Sequence, residues 1–254
     1  MSGRGLDYAG GIPRAAAVKA AGYVGVLRYL KKRGSSSVHV LTAAEYADMK
    51  AHRIGVALIY EDTDSTRMTG GSSAGVTDAD WALRQARALG ITPRCIYFAA
   101  DWDVQPSQYG AVSAYLNGAA SVLGRAKVGF YGGYNAITHC GSHASWRWQT
   151  MAWSGGRTAA GIHVRQRLQQ TTVDGVSCDV NDLIASDYGQ HPATKELPEM
   201  LIARPTTPGT FLLVSGAGVT ILRDSESVSA LVRAGVPEAT LSDRDFSRLH
   251  ALVK

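Results

Sequence analysis

Carboxyl groups recur in this chain at the points where apolar runs stop. "RGLDY" ends on Asp7 and Tyr8, and "IGVALIYE" ends on Tyr60 and Glu61. "IYFAADWDV" runs from Ile96 into Asp101, Trp102 and Asp103, and "VSCDVN" carries Asp179 and Asn181. Between them, "YVGVLRYL" contributes Arg28, "KVGFY" ends on Tyr131 with Tyr134 close behind, and "HVRQRLQQ" ends on Gln169 and Gln170. Carboxylates crowded into one cleft repel each other, so at least one keeps its proton near neutral pH. A protonated acid beside an ionised one is what cleavage of a glycosidic bond requires. Aromatic faces suit the C–H faces of a sugar, while amides and acids suit its hydroxyls. The candidate catalytic residues are therefore Glu61, Asp101, Asp103, Asp7 and Asp179. The candidate substrate-binding residues are Tyr8, Arg28, Tyr60, Trp102, Tyr131, Tyr134 and Gln169. Taken singly, each acid has a plainer reading: Asp7 suits a turn or cap, and Asp179 could pair with Arg28 in a structural bridge.

These residues meet only if the strands that carry them share a rim. Short apolar runs alternate with amphipathic segments from the start, which predicts parallel strands with crossover helices. Strands are expected at 4–8, 23–30, 54–61, 94–101, 127–131, 146–151, 163–170 and 176–181. Pro13 opens an alanine-rich helix that stops near Gly22. Thr42 with Glu45 reads as a capping box, and Thr77 with Asp80 as a second helix start. Val112, Tyr115, Leu116, Ala119 and Leu123 fall on one face of a helix after Pro106. Helices shorten or vanish after the fifth strand. The fold class is thus α/β, a (β/α)8 TIM-type barrel with a degenerate second half, whose site lies at the C-terminal ends of the strands. A doubly wound open sheet competes, but no GxGxxG or GxxxxGK[ST] follows a strand. Three spans are expected: the barrel over 1–188, a proline-rich linker over 189–209, and a small α+β module over 210–254. In that module "FLLV" and "VTIL" form a hairpin, and two short helices follow, the second capped by Ser242 with Asp245.

With 45% apolar and 19% charged residues among 254, the chain has the composition of a globular protein and no run long enough to cross a membrane. The net charge of +5 arises in residues 1–204, with 21 basic against 16 acidic, and is too dispersed to indicate nucleic acid. "KKR" at Lys31–Arg33 reads as a solvated loop. Cys95, Cys140 and Cys178 have no CxxC spacing and read as plain buried thiols, so neither a metal nor a cofactor is expected. The opening "MSGRGLDYAGGIPR" lacks the apolar region of a signal peptide. A protein made in the cytoplasm and delivered to its target by other means is expected.

The stretches "GLDYAGG", "AAGYVGVLRYL", "IYFAADWD", "VGFYGGYNAI" and "LQQTTVDGVSCDVNDL" resemble the glycoside-hydrolase-like barrel domain of actinobacteria and their phages. That domain is similar to the Chalaropsis-type lysozymes, the family-25 muramidases. The resemblance spans about Gly5 to Leu183 and implies a wall-directed glycosidase. It matches Asp7 to the lysozymes' first-strand aspartate, Asp101-Trp102-Asp103 to their Asp-x-Glu, and Asp179 to their late aspartate. Their acid is the glutamate of Asp-x-Glu, which here is the shorter Asp103. Glu61 is then expected as the general acid and Asp101 as its ionised partner, with Asp7 and Asp179 positioning and Asp103 an alternative acid. The implied partner is bacterial cell-wall glycan, reached by a phage lysin or a virion-associated hydrolase. The competing reading is an inactive glycan-binding or structural module of a phage tail. The C-terminal module would meet virion or tail proteins.

Overall fold

The computed structural model describes residues 3–33, 40–192, 200–205, 211–215, 218–222, 225–233, 238–241 and 246–247. Eight strands close into a barrel: β1 (Gly3–Asp7), β2 (Gly25–Tyr29), β3 (Gly55–Tyr60), β4 (Ile96–Ala99), β5 (Val128–Gly132), β6 (Trp146–Thr150), β7 (Val164–Val173) and β8 (Val176–Leu183). Strands β1 to β7 run parallel, each paired with the next. The barrel and its thinning second half are as the sequence predicts, and no helix separates β6 from β7. The last strand departs from the parallel expectation, since β8 lies antiparallel to both β7 and β1. A parallel return needs a crossover of a dozen or more residues, whereas only Asp174 and Gly175 join β7 to β8. Both have positive φ, 53° and 78°, the requirement of a two-residue type I′ hairpin. The Asp-Gly pair was the sequence signal for it.

Side chains alternate between two shells, because successive residues of a strand point to opposite faces. Leu27, Ala57, Ile59, Tyr97, Tyr131, Trp148 and Val164 fill the barrel interior. Val26, Leu58, Ile96, Phe98 and Phe130 pack outward against the helices. Those helices are α1 (Ala15–Ala20), α2 (Ala43–Ala51), α3 (Gly71–Ala88), α4 (Tyr109–Leu123) and α5 (Tyr134–Cys140). Helix α4 buries the predicted face of Val112, Tyr115, Leu116, Ala119 and Leu123. Helix α2 is capped by the Thr42 side chain, which accepts from the Glu45 amide at 3.1 Å. Helix α3 starts six residues before Thr77, which lies inside it with its hydroxyl donating to the Ser73 carbonyl at 2.8 Å. Helices α3 and α4 pack almost backbone to backbone at their glycines. A Cβ on Gly75 would stand 2.0 Å from the Tyr115 carbonyl oxygen, and one on Gly118 2.2 Å from that of Ser72.

The N-terminal end of the barrel is closed by Tyr188, the last residue of the span expected as barrel, and by His191, within the span expected as linker. Tyr188 reaches in under β2, where a Cβ on Gly25 would meet its hydroxyl at 2.0 Å, and His191 forms a bridge with Val56. The chain divides into two compact units, Met1–Thr194 and Lys195–Lys254. In the second, β9 (Met200–Pro205), β10 (Phe211–Ser215), β11 (Gly218–Leu222) and β12 (Glu238–Leu241) form a sheet in the order β11-β10-β9-β12, with α6 (Ser225–Arg233). The predicted hairpin is β10–β11, while β9 occupies part of the span read as linker. The predicted cap at Ser242 and Asp245 lies outside the described residues.

Candidate active site

A cleft of about 300 Å³ opens at the C-terminal rim of the parallel strands, within the size range of small-ligand sites. Glu61 comes to its wall from just past β3, Asp101 from just past β4, Tyr131 from β5, and Gln166 and Asp179 from the β7–β8 hairpin. Tyr29, Trp148, Trp153, Leu168 and Gln170 also line it. Beneath the wall lies Asp7, opposite Asp179 in the β1–β8 register and 2% exposed. Residues directly opposite on neighbouring strands share a face, so both carboxyls are directed inward. Three acids from three strands thus reach one opening, and a fourth, Asp7, is enclosed beneath it.

Asp7 is held by amides alone. Trp148 Nε1 donates to Asn181 Oδ1 at 2.8 Å, which turns the Asn181 amide nitrogen onto Asp7 at 2.7 Å. Gln166 Nε2 donates to both Asp7 oxygens at 3.2 and 3.0 Å, and its Oε1 accepts from the Tyr131 hydroxyl at 2.7 Å. Burial dominates these hydrogen bonds and pushes the Asp7 pKa up to about 7, with the charges of Asp179 and Glu61 adding to the rise. Glu61 Oε1 stands 3.0 Å from Lys32 Nζ. Burial raises the Glu61 carboxyl above its ordinary value against the pull of Lys32, and Asp101 raises it further. The Asp101 carboxyl is also raised, first by burial, with Lys32 and a Tyr131 hydrogen bond opposing and Asp179 reinforcing. Tyr29 lies in the field of Asp7, Glu61 and Asp101, and burial above all holds its hydroxyl protonated. Among the described residues no group of three His, Cys, Asp or Glu is arranged to hold a metal ion.

Several predicted site residues are elsewhere. Tyr8, Arg28 and Tyr60 occupy the outward phase of their strands. Arg28 is buried against Glu45, with Nε 2.5 Å from Oε1, and its guanidinium lies 4.2 Å over the Tyr8 ring. The Tyr8 hydroxyl donates to Glu45 at 2.8 Å, so Glu45 serves this buried cluster and not the far half of a capping box. Tyr60 packs on Phe98 and donates to Asp62 at 3.0 Å. Trp102 is anchored away from the cleft by Nε1 donating to Gln108 Oε1 at 3.0 Å. Asp103 is exposed just beyond, its carbonyl accepting from Gln105, and it does not line the opening. Tyr134 lies under the Arg157 guanidinium at 4.1 Å, outside the cleft lining.

Gln169 is displaced by the hairpin. Three residues, Arg167 to Gln169, stand between partners Gln166↔Asn181 and Gln170↔Asp179, where β8 has one. This bulge brings Gln170 Nε2 to Asp179 Oδ1 at 2.9 Å and leaves Gln169 exposed. Sequence reasoning also missed Lys32, Tyr29 and Gln166. The two strand residues follow from the phase set by Asp7 and Glu61 once alternation is counted along neighbouring strands. Lys32, in a stretch read as solvated, had no such signal.

The chain matches the family described as Rv2525c-like, glycoside hydrolase-like domain, over residues 16–185. Rv2525c of Mycobacterium tuberculosis, provisionally named a peptidoglycan hydrolase, is 29% identical over 198 residues, covering 73% of this chain and 82% of that protein. A crystal structure of Rv2525c, described as Tat-secreted and in complex with HEPES, aligns at TM-score 0.68 and 30% identity, over 74% of this chain and 98% of that one. A family-25 glycosyl hydrolase of Streptococcus pneumoniae aligns at TM-score 0.52 and 12% identity, over 71% of this chain and 86% of that one, a likeness of fold alone. The family match takes in every strand of the barrel except β1 and about two thirds of the chain, and the chain belongs to the Rv2525c-like, glycoside hydrolase-like domain family.

Proposed function

We propose that the barrel is a glycoside hydrolase directed at bacterial cell-wall peptidoglycan. The observation that carries this reading is the pairing of Glu61 and Asp101 on the wall of one cleft, the charge of Asp101 raising the Glu61 carboxyl, with Asp179 beside them and Asp7 beneath. In such a pair the protonated carboxyl delivers its proton to the glycosidic oxygen as the bond to the anomeric carbon breaks. The ionised partner attacks that carbon or deprotonates the water that does. Asp7 and Asp179 act as flanking electrostatic groups, the first fixed by Gln166 and Asn181, the second by Gln170. Tyr29, Tyr131 and Trp153 line the opening, with the Tyr131 hydroxyl donating to Gln166. Likeness to Rv2525c, a Tat-secreted protein provisionally named a peptidoglycan hydrolase, supports the wall as the place of action. The finer proposal, carriage by a phage as a lysin or virion component, rests on the sequence resemblance, and a gene outside any lysis or tail cluster would count against it.

A glycan-binding module without turnover is the second reading. It is favoured by Asp103, which the sequence resemblance matches to the acid of the family-25 lysozymes and which does not line the cleft. The two separate in one experiment with purified peptidoglycan, reading new reducing ends beside a pull-down. Glu61→Gln and Asp101→Asn should each lower the release of reducing ends by roughly 10²–10⁴-fold while wall binding persists. Asp103→Asn should leave the rate unchanged. Equal rates in all four proteins would remove Glu61 and Asp101 from the mechanism, and binding without any reducing ends selects the module.

A further inference from the structure

Glu61 and Asp101 are both carboxyls, and their shared cleft does not by itself say which donates the proton. The asymmetry between them comes from Lys32. Strands β2 and β3 are parallel with Tyr29 opposite Ile59, so the chain three residues past Tyr29 meets the chain two residues past Ile59. Lys32 Nζ there stands 3.0 Å from Glu61 Oε1 and 3.3 Å from the Asp62 carbonyl oxygen, and both side chains of the pair are mostly covered, 23% and 22% exposed. The other ionisable groups whose charges act on Glu61 or are acted on by it are Asp101, Asp7, Tyr29 and Tyr131. Those around Asp101 are Lys32, Tyr131, Asp179 and Tyr29.

We propose that Lys32 is a positioning residue that holds the negative charge on Glu61 and so leaves the transferable proton on Asp101. This rests on the hydrolase reading for its catalytic consequence, and it reverses the roles expected from sequence. Protonating Glu61 would leave a mostly covered ammonium beside a neutral acid and forfeit the ion pair. Protonating Asp101 forfeits the attraction of Lys32 across a longer gap but no direct ion pair. The Tyr131 hydroxyl, which then loses an anionic acceptor, already has the Gln166 Oε1 at 2.7 Å to donate to. In the reaction the Asp101 proton goes to the leaving glycosidic oxygen, and Glu61 supplies the carboxylate that attacks the anomeric carbon or takes a proton from water.

The assignment can be read without turnover. The chain contains six glutamates, so carboxyl-¹³C glutamate labelling of the full-length protein gives a sparse spectrum in which Glu61 is identified by its loss in Glu61→Gln. Carboxyl-¹³C aspartate labelling with Asp101→Asn identifies Asp101 in the same way. In the wild type Asp101 should titrate at higher pH than Glu61. Lys32→Met should move the Glu61 midpoint up by about one pH unit, and Lys32→Arg should restore it. An unmoved Glu61 midpoint in Lys32→Met, or Glu61 titrating above Asp101 in the wild type, overturns the proposal. Lys32→Arg retains the charge and guards against a folding artefact in the methionine variant. A wild type that releases no reducing ends would sink the hydrolase reading while leaving the titration result standing.

Discussion

Asp7→Asn should make the barrel more stable at alkaline pH and change how stability depends on pH. Asp7 is fully enclosed, and its pKa stands near 7 in the folded chain against 3.8 when free. A carboxyl whose folded pKa is raised binds its proton more tightly in the native state, so its contribution to stability is intact below about pH 3.8 and falls as pH rises towards 7. The full fall corresponds to about three pKa units, on the order of 4 kcal/mol. Between pH 5 and pH 8 the portion lost is about 3 kcal/mol, because part has already gone by pH 5. Asparagine cannot ionise, and its amide oxygen can still accept from Asn181 Nδ2 while Gln166 turns its own amide oxygen to the new amide nitrogen. Urea unfolding followed by tryptophan fluorescence tests this, and all five tryptophans lie within residues 1–194, so the signal reports the barrel. The stability of Asp7→Asn relative to wild type should rise by about 3 kcal/mol from pH 5 to pH 8. Parallel stability curves over that range would refute the argument that Asp7 is buried without a cation.

Arg28→Met should cost roughly 3–5 kcal/mol of stability, because Glu45, 1% exposed beside a fully buried Arg28, would be left as an uncompensated charge. Turnover per folded molecule should stay unchanged, and a lowered rate at wild-type stability would return Arg28 to the site. Leu168, 75% exposed on the hairpin bulge at the opening, offers apolar surface to a bound glycan. Covering part of it contributes about 1 kcal/mol, so Leu168→Ser should raise KM about fivefold with kcat and thermal stability unaltered. A lowered kcat at constant KM would show that the bulge serves the reaction step instead.

The sequence by itself determined the strands and their order, the buried face of α4, and three acids that reach the opening, Glu61, Asp101 and Asp179. Those features are local: an apolar run bounded by turns needs no knowledge of its neighbours. Strand phase is different. The strands of a barrel are buried on both faces, so Leu27, Arg28 and Tyr29 read as one run with no alternation to say that Tyr29 faces inward and Arg28 outward. The direction of β8 was written in Asp174-Gly175, but the bulge that swaps Gln170 for Gln169 arises only where β7 meets β8. Lys32 shows the limit most plainly. Its partner is 29 residues away, and only the parallel register of β2 and β3 brings a loop lysine to the carboxyl of Glu61, because electrostatic pairing depends on distance in space and leaves no period along the chain.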